Sequence, residues 1–272
     1  ARAGLAGDGV SRPRPSVGCG RTPPPTPPAA VPVDGRNRDL IAVVPNAYDP
    51  RRPHPLVMAF HGRTNPNTQV RGYYDLERHA GEPTIFLYPS GLPQGDGRSW
   101  WNPGDPGDRL RDYALFDALL ATFAGRYCVD LSRVFVVGHS LGASFANSLA
   151  CARGGTIRAA GTVGGGVSAS DCRGPVAAVV MHNPHDRLVD FSHGLHVRDM
   201  YLSMNGVNGP PDPAPPHDLN CQRYGGPRAR HPLLWCPHTQ DYTGRGRYYP
   251  HTWPEEAGKT IMAFFRSLPP NP

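Results

Sequence analysis

Short runs of apolar residues recur along the chain without polar alternation. Such runs are typical of strands that are buried on both faces of a parallel sheet. The predicted strands are 39–44, 56–60, 84–89, 133–137, 159–168, 177–182 and 232–237. Apolar residues at helical spacing predict helices over 113–127, from 141 and over 255–268. Strands that alternate with helices indicate a parallel sheet with right-handed crossovers.

Two stretches lack this periodicity. Residues 1–30, which end in the proline-rich RTPPPTPPAA, have too few apolar positions for a core of their own, and we expect an arm that packs on the surface. We expect residues 31–272 to form one catalytic domain. Residues 205–232 are rich in proline and glycine and predict a long loop of the kind that often shapes a binding site.

Composition and charge exclude some function classes. The net charge of +6 would suit an acidic polymer or surface, but the arginines are scattered and form no basic helix or nucleic-acid module. No apolar run approaches the roughly 20 residues that span a bilayer. We therefore expect neither a nucleic-acid nor a membrane partner, while the oligomeric state stays open. No leader peptide stands at Ala1, so a secreted protein would have lost its signal peptide.

The six cysteines are spaced far apart, and none belongs to the C-x-x-C pair of zinc or thioredoxin-like sites. An even number in this arrangement indicates disulfides and an oxidising compartment. Six cysteines allow fifteen connectivities, among which sequence alone does not choose. The order of the predicted elements favours the pairs Cys19–Cys128, Cys151–Cys172 and Cys221–Cys236.

The segment VFVVGHSLGASFA, residues 134–146, joins a β-branched strand to a helix through Gly-x-Ser-x-Gly. In so tight a turn, side chains at Gly138 and Gly142 would collide with neighbouring backbone, and Ser140 would take a strained conformation that lifts its hydroxyl above the sheet. The following helix directs its N-terminal amides at developing negative charge. The pattern predicts a nucleophilic serine, and an incidental serine in a strand–turn–helix connection is the alternative.

A serine nucleophile needs a histidine base and a carboxylate that orients the histidine. In α/β-hydrolases both follow the serine, the acid first. Asp186 follows a buried strand and is the predicted acid, with Asp190 as the alternative. His251 lies between the last strand and the final helix and is the predicted base. We interpret the remaining histidines as surface or structural residues, since no group of them has the spacing of metal ligands.

The predicted site also needs hydrogen-bond donors to the oxyanion and side chains that bind the acyl group. The expected donors are the amide of Leu141 and the amide of Arg63 or Thr64, which follow the strand 56–60. Aromatic side chains in loops that should face the site are candidates for binding an aromatic acyl group. They are Tyr73, Tyr74, Trp100, Trp101 and Trp253. Core packing or surface anchoring is the alternative for each.

With these residues in place, the chain resembles secreted feruloyl esterases of the carbohydrate esterase 1 type and the related polyhydroxybutyrate depolymerase-like esterases. The matching segments are GCGRTP (18–23), PLVMAFHG (55–62), YCVDLSRVFVVGHSLG (127–142), LACARGGTIRAAGTVGG (149–165), HNPHD (182–186) and HTWP (251–254). The six cysteine positions also match. The chain departs from the pattern at Ala143 and in RTNPNTQ (63–69), which flank the expected acyl pocket.

The resemblance implies an α/β-hydrolase fold, with a central, mostly parallel sheet flanked by helices and with three disulfides. It implies an extracellular serine esterase without a cofactor, whose triad is Ser140, Asp186 and His251. The implied substrates are hydroxycinnamate esters on plant cell-wall polysaccharides or their feruloylated fragments. Alternative substrates are polyhydroxyalkanoates, synthetic polyesters and acetylxylan. An alternative of another class is an inactive hydrolase fold that binds cell-wall glycans.

Overall fold

The structure is a computed structural model that describes residues 12–212 and 219–271. Residues 1–11 of the predicted arm and 213–218 of the predicted loop lie outside the described residues. The helices are α1 (Asn67–Tyr74), α2 (Pro106–Arg126), α3 (Leu141–Ala152), α4 (Phe191–Met204) and α5 (Ala257–Ser267). The strands are β1 (Ala30–Val33), β2 (Arg36–Val43), β3 (His54–Phe60), β4 (Ile85–Pro89), β5 (Leu92–Pro93), β6 (Ser99–Trp100), β7 (Val129–His139), β8 (Ala159–Val163), β9 (Ala177–Met181), β10 (Gln222–Tyr224) and β11 (Leu233–Cys236).

A central sheet organises the described part of the chain. In this part, the sheet has nine strands in the order β1-β2-β4-β3-β7-β8-β9-β11-β10. Strands β5 and β6 pair with each other in a separate two-stranded sheet. The strands from β4 to β11 in this order run parallel, whereas β1, β2 and β10 each join a neighbour antiparallel at the edges. Every residue of β3, β4, β8 and β9 is buried, as their continuous apolar runs predict. The prediction of a mostly parallel sheet with flanking helices is confirmed.

Side chains alternate between two apolar layers, one on each face of the sheet. In β3, Leu56, Met58 and Phe60 belong to the layer that α2, α3 and α4 cover. Val57 and Ala59 point to the opposite layer, which α1 and α5 cover. Two layers of helices thus bury the central strands and leave their carboxyl ends open for a site.

Some predicted boundaries differ from the observed ones. Helix α2 begins at Pro106 instead of 113, because Asp105 caps it by accepting a hydrogen bond from the amide of Asp108 and a proline is favourable in the first turn. Strand β8 ends at Val163 instead of 168, because Gly164 turns the chain out of the sheet with a φ of 60°. Helix α1 was missed, since only two of its residues are buried and its apolar stripe is short.

The disulfide pairing is confirmed in all three bridges: Cys19–Cys128, Cys151–Cys172 and Cys221–Cys236. The first bridge ties the N-terminal region to the body, where the amide of Ser16 also donates to the carbonyl of Val129 at 2.9 Å. The division into an arm over 1–30 and a domain over 31–272 stays a prediction. No helix among the described residues combines the length and the apolar character needed to cross a membrane.

Candidate active site

The turn between β7 and α3 has the geometry that its glycines predict. Ser140 lies at φ 58° and ψ −124°, a conformation that is strained for any residue with a side chain. A Cβ atom at Gly138 would lie 2.3 Å from the carbonyl oxygen of Gly142, and one at Gly142 would lie 2.2 Å from that of Phe60. Only glycine fits at these two positions, so the expected crowding around the serine is confirmed.

His251 and Asp186 form a buried hydrogen-bonded pair. Nδ1 of His251 lies 2.6 Å from Oδ2 of Asp186, and their side chains are 4% and 1% exposed. The other carboxylate oxygen accepts from the amides of Leu188 at 2.8 Å and Val189 at 3.1 Å. A carboxylate only accepts, so Nδ1 of His251 carries a proton, and in the neutral imidazole Nε2 then has the lone pair.

Burial and hydrogen bonding act in opposite directions on this carboxylate. Burial raises the pKa of Asp186, but the hydrogen bond and charge of His251, together with the amides of Val189 and Leu188, outweigh it, so the pKa lies below the ordinary value. Asp186 is therefore an anion at neutral pH. The alternative acid, Asp190, instead caps α4 by accepting from the amide of Ser192 at 2.9 Å.

A cavity of about 710 Å³ lies at the carboxyl ends of the parallel strands. Ser140, which follows β7, and His251, which follows β11, both line this cavity, and Asp186, which follows β9, lies behind the histidine. Within the described residues, Oγ of Ser140 makes no hydrogen bond, so the hydroxyl is free to turn toward the imidazole or a ligand. The structure thus brings together the three side chains that the sequence predicts.

The residues whose amides are expected at an oxyanion site also line the cavity. Leu141 is the first residue of α3, and Leu141, Arg63 and Thr64 all line the cavity. None of these three amides donates to another atom in the part of the chain that the structure describes. Unpaired backbone N–H groups beside a cavity are available to bind a negatively charged oxygen.

Two of the five aromatic candidates lie on the cavity wall. They are Tyr73 and Trp253. The expectation is wrong for Trp101, which is fully buried and stacks on Phe145 at 5.0 Å between the ring centroids, because its indole fills the space between β3 and α3. It is also wrong for Tyr74, which is fully buried, stacks on Trp253 at 4.0 Å and donates its hydroxyl to a β3 carbonyl.

Trp100 is not among the residues that line the cavity. Its indole N–H donates to Asp96 at 3.2 Å, and the guanidinium of Arg63 lies 5.4 Å from the ring centroid. Arg63 in turn pairs with Asp96 at 2.6 Å. Trp100 therefore contacts a residue of the cavity wall, and its direct contact with substrate stays a prediction.

His139, which precedes the serine, contacts the loop of His251, and no sequence pattern predicts this contact. Its Nε2 lies 3.0 Å from the main-chain oxygen of His251, and its Nδ1 lies 3.2 Å from the hydroxyl of Tyr73. Within the described residues, this is the only hydrogen bond between the main chain of 251–253 and the rest of the protein. Burial and the neighbouring His251 lower the pKa of His139 to about 3, so this imidazole is neutral.

Nothing in the sequence pairs His139 with His251, because 112 positions separate them. The one available signal was the position of His139 inside Gly-x-Ser-x-Gly, directly beside the predicted nucleophile. In the described part of the chain, no group of three or more His, Cys, Asp and Glu side chains is arranged to hold a metal ion.

The sheet order, the crossover helices and the strained serine turn between β7 and α3 define an α/β-hydrolase. Comparison with solved structures agrees on the fold. A ferulic acid esterase of the carbohydrate esterase 1 class from Anaeromyces mucronatus, solved with ferulic acid, superposes with a TM-score of 0.54 at 12% identity, covering 98% of this chain and 94% of that one.

Comparison with the sequences of known proteins places the chain in one family of α/β-hydrolases. No family model matches the chain. It is 31% identical over 204 residues to feruloyl esterase C of Emericella nidulans, covering 70% of this chain and 69% of that protein. It is 27% identical over 248 residues to feruloyl esterase D of Neurospora crassa, covering 84% and 82%. The chain belongs to the feruloyl esterase family, and it is a carboxylic ester hydrolase.

Proposed function

We propose that this protein is a secreted esterase that releases hydroxycinnamic acids from plant cell-wall polysaccharides, with Ser140, His251 and Asp186 as its catalytic triad. The observation that carries the proposal is the 2.6 Å hydrogen bond between His251 and Asp186 beside a cavity that Ser140 lines. The 31% identity to feruloyl esterase C supports the choice of acyl group.

In this mechanism Oγ of Ser140 attacks the ester carbonyl carbon while Nε2 of His251 accepts the hydroxyl proton. Asp186 holds the imidazole in the required tautomer and stabilises its cation. The tetrahedral intermediate collapses, the C–O bond to the alcohol breaks, and His251 returns the proton to the departing alkoxide. Water then attacks the acyl-enzyme by the same route, which releases the acid and restores the serine.

We also propose the amides of Leu141 and of Arg63 or Thr64 as donors to the oxyanion. Their lack of other partners supports this assignment, since an unpaired amide needs no rearrangement before it stabilises the negative charge. The N-terminal end of α3 adds a favourable dipole at the same point.

The cavity suits a flat acyl group. Its volume of about 710 Å³ lies in the range of sites that enclose small organic ligands. Tyr73 and Trp253 supply aromatic surface on one wall, and their rings lie 6.3 Å apart with an edge-to-face orientation. A hydroxycinnamoyl group presents the flat, polarisable surface that packs well against such side chains.

Three disulfides support the proposed extracellular location, because such bridges persist in oxidising compartments. We propose that residues 31–272 form the catalytic domain and that residues 1–30 form an arm joined to it through Cys19. The many hydrogen bonds of residues 14–20 to the body support a surface-packed arm.

A substrate panel tests the proposed activity. We expect the highest kcat/KM on methyl ferulate, with lower values on p-nitrophenyl acetate and butyrate and on acetylxylan, and little release from polyester film. Ser140→Ala should keep the same thermal unfolding temperature and lose at least about 10⁴-fold in kcat. A higher kcat/KM on the acetyl or polyester substrates would reject the proposed acyl group, and a variant that retains several per cent of the activity would reject the role of Ser140.

Substitutions at Asp186 and Asp190 test which aspartate is the acid of the catalytic triad. Asp186→Asn should lower kcat by about 10⁴-fold, since the amide cannot hold the same imidazole tautomer. Asp190→Asn should keep the wild-type kcat, because asparagine is also a good helix cap. Rates on methyl ferulate measure both variants, and equal losses in the two would refute the assignment.

A further inference from the structure

Exposed apolar side chains concentrate around the cavity. Five large apolar side chains of the described residues are exposed, and three of them are Leu188, Tyr242 and Tyr248, which are 67%, 56% and 50% exposed. Leu188 lines the cavity directly. The two tyrosines flank residues 243–244 and Tyr249, which also line it. Apolar side chains grouped at one exposed place indicate a binding surface, whereas scattered ones do not.

The tyrosines stand on a hairpin whose backbone is well supported. Tyr242 and Tyr248 face each other across an antiparallel bridge, and the amide of Thr243 donates to the carbonyl of Arg247 at 2.8 Å. The hairpin is also tied to the loop that carries Asp186. Asp241 at its base accepts from the side-chain amide of Asn183 at 2.9 Å.

The two tyrosine rings form an edge-to-face pair, with centroids 5.4 Å apart and an interplanar angle of 73°. Each ring therefore has a defined orientation before any ligand binds. Neither ring is buried, so the pair adds little to the stability of the fold. An exposed aromatic pair that the core does not need, on a supported hairpin beside a cavity, has the properties of a preorganised contact surface.

We propose that Tyr242 and Tyr248 form a second binding site that holds the sugar chain of a polysaccharide while its ester group lies in the cavity. This inference rests on the proposed function. A sugar ring has an apolar C–H face and a rim of hydroxyl groups. The hairpin offers aromatic rings together with the exposed polar side chains of Arg245 and Arg247.

The same surface fits an aliphatic polyester poorly. Neither tyrosine hydroxyl has a hydrogen-bond partner among the described residues, and the two arginines beside them are exposed. A polyester chain offers only acceptor oxygens, so it cannot donate to the tyrosine hydroxyl oxygens, and its sparse ester carbonyls replace only part of the water around the guanidinium groups. Sugar hydroxyls both donate and accept, so they satisfy these groups.

The site predicts a difference between small and polymeric substrates. Methyl ferulate fills the cavity but has no sugar chain to reach the hairpin, whereas feruloylated arabinoxylan reaches both. In the double variant Tyr242→Ala/Tyr248→Ala, we expect the KM for soluble feruloylated arabinoxylan to rise by about tenfold, with each lost ring contact contributing a few-fold. The kcat/KM for methyl ferulate should change by less than about twofold.

Leu110→Ala is the matched control, because Leu110 is 65% exposed, lies on α2 and does not line the cavity. It should leave both substrates unaffected. An unchanged KM for arabinoxylan in the double variant would overturn the proposal. So would equal losses on both substrates, or an equal effect of the control.

A binding experiment separates this proposal from the proposed reaction. The Ser140→Ala protein, which does not consume the ester, is mixed with insoluble feruloylated arabinoxylan or with polyester film, and the protein left in solution is measured. We expect retention on arabinoxylan that falls at least about fivefold when both tyrosines are replaced by alanine. Retention on arabinoxylan that does not depend on the tyrosines would overturn the sugar site, as would tyrosine-dependent retention on the film alone. Retention on arabinoxylan and retention on the film are both measured without turnover, so they test the sugar site even if methyl ferulate proves to be a poor substrate.

Discussion

At the scale of single residues, the protonation of His139 follows from its two partners. The main-chain oxygen of His251 only accepts, so the neutral imidazole must carry its proton on Nε2. Its Nδ1 is then an acceptor, and the hydroxyl of Tyr73 must donate to it. This chain of hydrogen bonds runs from the cavity wall to the backbone of the proposed base. These hydrogen bonds predict that His139 is a positioning residue for His251.

His139→Leu should remove the hydrogen bond to the main chain of His251 and leave a buried carbonyl unpaired. We expect kcat on methyl ferulate to fall by about tenfold, because the lost hydrogen bond holds the backbone of the proposed base in position. KM should change little. His139→Gln is the matched variant, because its side-chain amide offers an N–H near the place of Nε2, and it should recover most of the rate. Steady-state kinetics compares the two, and equal rates in both variants would contradict a positioning role.

At the scale of elements, the serine turn depends on how closely α3 approaches the sheet. Gly142, in the first turn of α3, lies against the carbonyl of Phe60 at the end of β3. Along the inner face of the helix, Ala143, Ala146 and Ala150 are fully buried. Small side chains allow this approach, and the approach aims the helix amides at the cavity. The string of small residues after the serine therefore has a packing reason as well as a chemical one.

Gly142→Ala should force α3 away from β3, because the new methyl group would lie 2.2 Å from the carbonyl oxygen of Phe60. We expect the free energy of unfolding to fall by about 3 kcal/mol or more, and the esterase rate to fall with it. Gly125→Ala in α2 is the control, since nothing lies within 4 Å of the added carbon there. That change should stabilise the protein by up to about 1 kcal/mol. Urea unfolding measures the free energy of unfolding of both variants, and similar free energies would disprove the close-packing argument.

At the scale of the whole molecule, the fold buries several histidines in the neutral state. Burial is the main cause that lowers the pKa of His139 to about 3 and the pKa values of His231 and His238 to about 4. It also lowers the pKa of His182. In the unfolded chain these groups take up protons near pH 6.5. Between that pH and about 4 the unfolded state binds more protons, so the folded state loses stability as the pH falls.

The free energy of unfolding should therefore decrease from pH 7 to pH 5, by up to about 2 kcal/mol for each fully buried histidine. His238→Gln should make this decrease smaller by about 1 to 2 kcal/mol, since it removes one such group. His196→Gln, at an exposed position on α4, should leave the decrease unchanged. Urea titrations at the two pH values give the differences, and a wild-type protein that is equally stable at both would contradict the argument.

Sequence patterns predicted those features of the structure that depend on contacts between residues close in the chain or on burial that repeats along a strand. The apolar runs predicted seven strands of the sheet, namely β2, β3, β4, β7, β8, β9 and β11, but not β1 or β10 at its edges. The glycine spacing predicted the strained turn at Ser140. The order of elements predicted the three disulfide pairs. Each of these features depends on the period of burial, on steric limits of a short turn, or on the order in which strands enter a sheet.

The tertiary structure decided the features that depend on where a loop side chain points. It paired His251 with Asp186 and left Asp190 to cap a helix, turned Trp101 inward, and joined His139 to a loop more than a hundred residues away. It also placed the tyrosine hairpin beside the cavity. Loop sequences have no burial period, and their direction is set by packing between distant segments, so only the folded chain determines which of their side chains meet.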